Sequence, residues 1–149
     1  MAEFNIYVDP QAARLVFECG APITLIPLDV THQALTTRAR IEKFRAMKNH
    51  TGPAVAEMMD FFERFDVEKY GTDGGPLHDP CVIAWLLHPE LFTGKDCNVS
   101  VECESELTMG QTVVDWWRVT NRPHNAHTVR GIDHDGFFKL LTERLATLA

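Results

Sequence analysis

Residues 98–104, NVSVECE, place apolar side chains at every second position, and this short stretch indicates the fold class of the chain. A period of two is typical of a half-buried strand, whereas an amphipathic helix repeats every ~3.6 residues. Residues 111–119 and 125–132 have the same strand-like composition, and turn-like segments join the three stretches. We therefore expect an antiparallel strand group from 98 to 132.

Helical patterns lie on both sides of this strand group. Asp9-Pro10 and Asp79-Pro80 each resemble a helix start, because Asp caps the first turn well and Pro suits the first helical position. The periodicity predicts a short buried strand over 23–27 and helices over 10–19, 36–48, 52–66, 80–88 and 134–147. The sequence thus predicts an α/β chain. Only one strand is well placed for a parallel sheet, which is too few for a complete doubly wound fold.

The overall composition limits the classes of partner. The chain has 149 residues, of which 45% are hydrophobic and 23% charged, as in a soluble globular domain. Its formal net charge of -7 does not favour binding to nucleic acid or to an anionic membrane. No apolar run approaches the roughly 20 residues of a membrane-spanning helix, and no secretory signal is visible. We expect a cytoplasmic protein.

The four cysteines, at positions 19, 81, 97 and 103, include no CxxC pair. Cys97 and Cys103 could form a zinc site with His124 and His127. The spacing of the two cysteines matches no common zinc template, however, and the residues between them alternate as in a strand. Buried or half-buried free thiols are the better interpretation.

Two pairs of polar residues could carry chemistry. Glu3 and Asn5 would share a face if residues 3–5 were extended, and a carboxylate beside an amide can grip hydroxyl groups. The alternative for this pair is a solvated polar edge. His78 and Asp79 follow a loop, residues 66–77, that is rich in glycine and expected to be mobile.

Asp79 has a structural interpretation as well as a chemical one, whereas His78 has a chemical one. Asp79 could simply cap the helix, or it could bind a hard cation through its oxygens. His78 could transfer a proton near neutral pH. His32, which follows the short strand, is interpreted as a structural hydrogen-bonding residue.

Three motifs carry a resemblance to a known family. AEFNIYVDPQAARLVFECGAPITLIPLDVTH (2–32) and PLHDPCVIAWLLHPELF (76–92) resemble the nucleoside hydrolases that prefer inosine, uridine or pyrimidine ribonucleosides. MGQTVVDWW (109–117) resembles the C-terminal hairpin of that family.

The family opens with an aspartate-rich motif, DxDxGxDD, which binds calcium and positions the attacking water, and this motif is absent here. The chain thus resembles the C-terminal half of the enzyme. The implied structure is a single incomplete domain, 1–149, made of part of an open mixed sheet with surrounding helices and a C-terminal antiparallel strand group.

The resemblance also implies residue roles. Asp79 would be a calcium ligand that also touches the ribose 3′-hydroxyl, and His78 would lie beside the nucleobase and assist its departure. Glu3 would hold the ribose 5′-hydroxyl, and Asn5 the hydroxyls on the lower edge of the ring. Tyr70, in the loop that corresponds to a flap over the base, would contact the base. Calcium takes about six to eight oxygen ligands, and only Asp79 matches a family ligand.

The sequence therefore predicts ribonucleoside N-glycosidic bond hydrolysis at family level, with activity that depends on the missing N-terminal half. A chain that lacks this half should associate with a complementary N-terminal chain or form a homo-oligomer. One alternative is a non-catalytic remnant or a partner-dependent binding subunit. A second is an HD-type metal-dependent phosphohydrolase, a nearly all-helical fold that the strand group from 98 to 132 disfavours. The sequence does not choose between purine and pyrimidine bases.

Overall fold

A computed structural model describes residues 2–149, except for the side chains of residues 65–67, 69 and 70. Helices and strands are interspersed along the chain, which confirms the mixed α/β class. The helices are α1 (Phe4–Tyr7), α2 (Pro10–Glu18), α3 (Leu28–Thr31), α4 (Arg38–Arg45), α5 (Thr51–Tyr70), α6 (Asp79–Leu87) and α7 (His134–Ala146), and a 3₁₀ turn spans Pro89–Leu91. The strands are β1 (Thr24–Leu25), β2 (Leu35–Thr36), β3 (Gly75–Pro76), β4 (Phe92–Cys97), β5 (Val99–Val101), β6 (Thr112–Val114) and β7 (Ala126–Ile132).

The boundaries of three predicted segments differ from those observed. Helix α5 continues to Tyr70, so the segment between it and α6 is shorter than the predicted loop over 66–77. Helix α4 starts at Arg38 rather than at residue 36, because Leu35 and Thr36 are drawn into β2. The strand predicted over 23–27 is shorter, since β1 comprises only Thr24–Leu25, and the short helix α3 begins soon after it at Leu28.

The chain divides into two compact units. The first comprises the residues up to Leu25 together with Gly94–Val129. Within it, β5 and β6 pair antiparallel, with Val99 opposite Val114 and Val101 opposite Thr112. This pairing confirms part of the predicted antiparallel group.

The predicted grouping is wrong in one respect, because β7 belongs to a different sheet from β5 and β6. This strand pairs in parallel with β1, with Thr24 opposite His127 and Leu25 opposite Thr128, and the order in their sheet is β1-β7-β4. Alternation of side chains shows that a segment is extended but not which strand it joins, and a parallel partner is necessarily distant in sequence. The core of this unit is formed by Phe17, Val99, Val101 and Ala126.

The second unit comprises Ile26–Thr93 and Arg130–Ala149. Its most deeply buried large side chains include Ile41 and Phe44 of α4 and Phe137 of α7. The guanidinium group of Arg40 lies 4.1 Å from the centre of the Phe138 ring, donates a hydrogen bond to the Leu35 carbonyl, and forms an ion pair with Asp135. These contacts join α4 and α7 beside the β2–β3 ribbon.

No described helix is long and apolar enough to cross a lipid bilayer. The cytoplasmic location stays a prediction from the sequence. The four cysteines differ in exposure: Cys81 and Cys97 are buried and Cys103 is half-buried, as expected, whereas Cys19 is exposed at the end of α2.

Candidate functional site

The two glycines before His78 build the ribbon that carries it. Gly74 has a φ of +148°, and a Cβ atom at this position would collide with the carbonyl group of Thr36. The Thr36 hydroxyl donates a 2.7 Å hydrogen bond to the Gly75 carbonyl, and the Leu77 amide donates to the Ala34 carbonyl. Close backbone approach between β2 and β3 therefore fixes the chain just before His78.

Asp79 does not cap helix α6, so the predicted capping role is wrong by one position. His78 occupies the N-cap position and Asp79 is the first helical residue. The other Asp-Pro pair behaves as expected, because the Asp9 carboxylate accepts a 2.9 Å hydrogen bond from the Ala12 amide at the start of α2. Within the described part of the chain the exposed Asp79 carboxylate makes no such capping bond. It is thus available to a ligand in a way that Asp9 is not.

The imidazole of His78 is held in a defined orientation. Its Nδ1 atom lies 2.7 Å from the hydroxyl oxygen of Thr31, a residue that is only 3% exposed. The ring of His32 lies beside it, with 5.6 Å between the ring centres and a tilt of 48°. His32, interpreted from the sequence as structural, is thus a neighbour of the candidate proton donor. Thr31 was not predicted as a site residue.

Glu3 and Asn5 are in contact, although not through an extended backbone. Glu3 is extended, but α1 begins at the next residue, and the Ile6 and Tyr7 amides donate to the Glu3 carbonyl. The extended conformation considered for residues 3–5 is therefore not observed beyond Glu3, since three residues are too few for alternation to identify a strand. The Asn5 side-chain amide donates a 3.2 Å hydrogen bond to the Glu3 carboxylate. The structure therefore pairs a carboxylate with an amide at the start of α1, and the binding of hydroxyl groups by this pair stays a prediction.

The predicted site residues lie in different parts of the chain. Glu3 and Asn5 belong to the first unit, whereas His78 and Asp79 belong to the second. The side chain of Tyr70 lies outside the described residues, and its backbone ends helix α5. The structure thus brings together the members of each pair, and adds Thr31 and His32 to the second pair.

The residues present do not make a complete metal site. Among the described residues there is no group of three or more His, Cys, Asp or Glu side chains that could hold a metal ion. Calcium requires about six to eight oxygen ligands. Asp79 could supply one of them, and the remaining ligands would have to come from elsewhere.

Comparison with known proteins gives matches along most of the chain. Residues 1–139 match the family model described as inosine-uridine preferring nucleoside hydrolase. The chain is 53% identical over 146 residues to a pyrimidine-specific ribonucleoside hydrolase, RihA, of Shewanella sp. (strain ANA-3), covering 97% of this chain and 46% of that relative. It is 50% identical over 147 residues to an uncharacterized protein of Schizosaccharomyces pombe, covering 99% of this chain and 47% of the relative.

Solved structures give the same result. The fold is similar to that of a purine-preferring ribonucleoside hydrolase from Gardnerella vaginalis, with a TM-score of 0.85 at 32% identity over 97% of this chain and 46% of the other. It is also similar to a plant nucleoside hydrolase, the PpNRh1 enzyme, with a TM-score of 0.87 at 28% identity over 99% of this chain and 48% of the other. The chain spans about half the length of the curated relatives it matches.

Proposed function

Because the chain belongs to the inosine-uridine preferring nucleoside hydrolase family, as its motifs suggested, we propose that it contributes to a site that hydrolyses the N-glycosidic bond of ribonucleosides. The observation that carries this proposal is the arrangement at the start of α6. There a positioned imidazole, His78, adjoins a carboxylate, Asp79, that takes no part in capping the helix. The family match and the two hydrolase structures support the same reaction class.

The chemistry of the reaction explains why both groups are needed. As the bond breaks, positive charge develops on the ribose while the base departs with negative charge. Carboxylates stabilise an oxocarbenium-like sugar, and a proton donor beside the base neutralises the leaving group. In the proposal His78 donates this proton and Asp79 binds the sugar at its 3′-hydroxyl.

In the second part of the proposal, Glu3 and Asn5 hold the sugar. The Glu3 carboxylate accepts a hydrogen bond from the 5′-hydroxyl, and the Asn5 amide binds the hydroxyls on the lower edge of the ring. Their mutual hydrogen bond orders both side chains before a ligand arrives. Tyr70 remains a proposed contact to the base. The preference for purine or pyrimidine bases is left open, since the named relatives include both kinds.

The proposed activity needs the part of the family fold that this chain does not contain. Calcium is proposed as the cofactor of the assembled protein, with Asp79 as one ligand, since the described residues do not complete its coordination. We expect the 149-residue chain alone to bind calcium poorly and to release no appreciable ribose from nucleosides. The partner in this proposal is a complementary N-terminal half of the fold.

The experiment joins the chain to the N-terminal half of a Shewanella RihA protein and follows free ribose from uridine, cytidine and inosine in the presence of calcium. We expect release from the assembled protein, and loss of release in Asp79→Ala. Asp73→Ala is the matched control, since Asp73 is an exposed aspartate of the same unit. Equal release by Asp79→Ala, or robust release by the chain alone, would overturn the proposal.

A second candidate is a partner-dependent binding subunit without catalysis, which the incomplete set of metal ligands favours. Equilibrium dialysis would then show nucleoside binding by the assembled protein without ribose release. The HD-type phosphohydrolase has no comparable support, because β5, β6 and β7 lie where that fold would be helical.

A further inference from the structure

We propose that Thr31 is a positioning residue for His78, one that fixes both the orientation of the imidazole and the ring nitrogen that carries its proton. This inference rests on the proposed function of His78 as proton donor. Thr31 is the last residue of α3, and its hydroxyl oxygen lies 2.7 Å from Nδ1 of His78. The two residues are 47 positions apart in the chain, so this contact is a product of the fold.

The direction of the hydrogen bond follows from the surroundings of Thr31. A buried hydroxyl group that donates to no acceptor carries a desolvation cost. Thr31 is 3% exposed, and among the described residues the only hydrogen bond found for its side chain is the one to His78. The hydroxyl therefore donates to Nδ1 of the neutral ring, and the proton of the imidazole lies on Nε2.

This arrangement suits the departure of a nucleobase. In the neutral ring Nε2 is then the nitrogen that can donate a hydrogen bond to the base, and the opposite tautomer would make Nε2 an acceptor. A full proton transfer from Nε2 starts from the imidazolium form and leaves the neutral ring, since a neutral imidazole does not give up its remaining proton near neutral pH. The short helix α3 is in turn held by backbone hydrogen bonds, in which the Val30 and Thr31 amides donate to the Pro27 carbonyl. The position of the hydroxyl is thus fixed by the second unit itself.

The test is long-range ¹H–¹⁵N NMR of the neutral histidine rings in the full chain, with the His78 signals assigned from a His78→Gln variant. We expect a pyridine-like shift for Nδ1 and a pyrrole-like shift for Nε2. Thr31→Val, which has nearly the same shape but no hydroxyl, should move both signals toward a mixture of tautomers. Thr31→Ser should restore the wild-type pattern. A merely structural role for Thr31 would not move these signals while the chain stays folded.

Two results would overturn the inference: a wild-type ring that carries its proton on Nδ1, or unchanged signals in a folded Thr31→Val variant. The wild-type spectrum decides the first point even if the valine variant does not fold. Because the measurement uses neither nucleoside nor calcium, it is independent of the proposed reaction. The expected tautomer together with an assembled protein that releases no ribose would refute the proposed function and leave the positioning role intact.

Discussion

The dipeptide Asp-Pro occurs at the start of two helices, and its aspartate, Asp9 or Asp79, has a different role in each. Both precede a proline at the start of a helix of nine residues, but only Asp9 accepts a hydrogen bond from a backbone amide of its own helix. The shift of one position places Asp79 inside the first turn. There its charge interacts favourably with the helix dipole without satisfying an amide directly.

The difference predicts unequal effects on stability. Asp9→Ala removes a capping bond and should lower the free energy of unfolding by about 1 kcal/mol. Asp79→Ala removes only an exposed charge near a helix end and should cost no more than about 0.3–1 kcal/mol. Urea denaturation of the two variants measures both values. A larger loss for Asp79→Ala would mean that its carboxylate has a structural role in the isolated chain.

The cysteines give a second test at the level of single residues. Burial raises the pKa of the Cys81 thiol to about 12, and its sulfur donates a hydrogen bond to the Leu77 carbonyl. Since the thiolate is the reactive form, Cys81 should stay unmodified by a thiol reagent at neutral to mildly alkaline pH. The exposed Cys19 should react at once. Mass spectrometry of the labelled peptides with and without denaturant distinguishes the sites, and rapid labelling of Cys81 in the folded chain would contradict the burial.

At the level of elements, the turn after β6 is organised by one carboxylate. Asp115 accepts hydrogen bonds from the Thr120 hydroxyl at 2.6 Å, the Thr120 amide at 2.8 Å and the Val119 amide at 2.7 Å. The bond from the Thr120 hydroxyl is the largest of the effects that hold the pKa of Asp115 below its usual value. Arg118, in the same turn, has a φ of 56°, so these bonds compensate an unfavourable backbone conformation.

The depressed pKa sets the direction of the pH dependence. The turn is stabilised above the ordinary aspartate pKa, and this stabilisation is lost as the pH falls through the lower pKa of the folded state. The amide signals of Val119 and Thr120 should therefore titrate with a midpoint below the usual value for aspartate. Asp115→Asn should abolish that titration. A midpoint at or above the usual value would show that the hydrogen bonds do not favour the charged form.

The elements also show what the sequence could and could not predict. Helices α2 and α7 were predictable because each begins with a capping aspartate, and Asp133 accepts from the Gly136 amide as Asp9 does from Ala12. Strand β4 was missed because its middle residues are exposed, so that it shows no alternation of buried and exposed positions. Strands β2 and β3 have two residues each and are defined by their pairing with each other, so no local sequence pattern predicts them.

The candidate site was predictable to the same limited extent. His78 and Asp79 could be singled out because they adjoin a recognisable helix start and belong to a family motif. The role of Thr31 depends on a contact across 47 positions, which a single sequence does not reveal. For Glu3 and Asn5 the sequence analysis considered an extended backbone, whereas α1 begins at Phe4 and the two side chains meet across the start of that helix.

At the level of the whole molecule, helix α6 has apolar residues on all its sides after Asp79, and several of these side chains are exposed to solvent. Cys81 and Ala84 are buried, whereas Val82, Ile83, Leu86 and Leu87 are 47–64% exposed. A helix without a polar face is normal in the core of a larger protein and costly on a surface. In the proposed assembly with a complementary N-terminal half, we expect that half to cover this face.

We therefore expect the chain to associate through α6, with a complementary half in the proposed assembly and with itself when alone. Sedimentation velocity at micromolar concentration should show a species larger than the monomer. The double variant Ile83→Glu and Leu86→Glu should shift the population toward the monomer, because each carboxylate would lose its hydration in an apolar contact. Leu107→Glu is the matched control, since Leu107 is 93% exposed and lies outside α6. A compact wild-type monomer, or equal effects of the α6 variant and the control, would show that this face needs no cover.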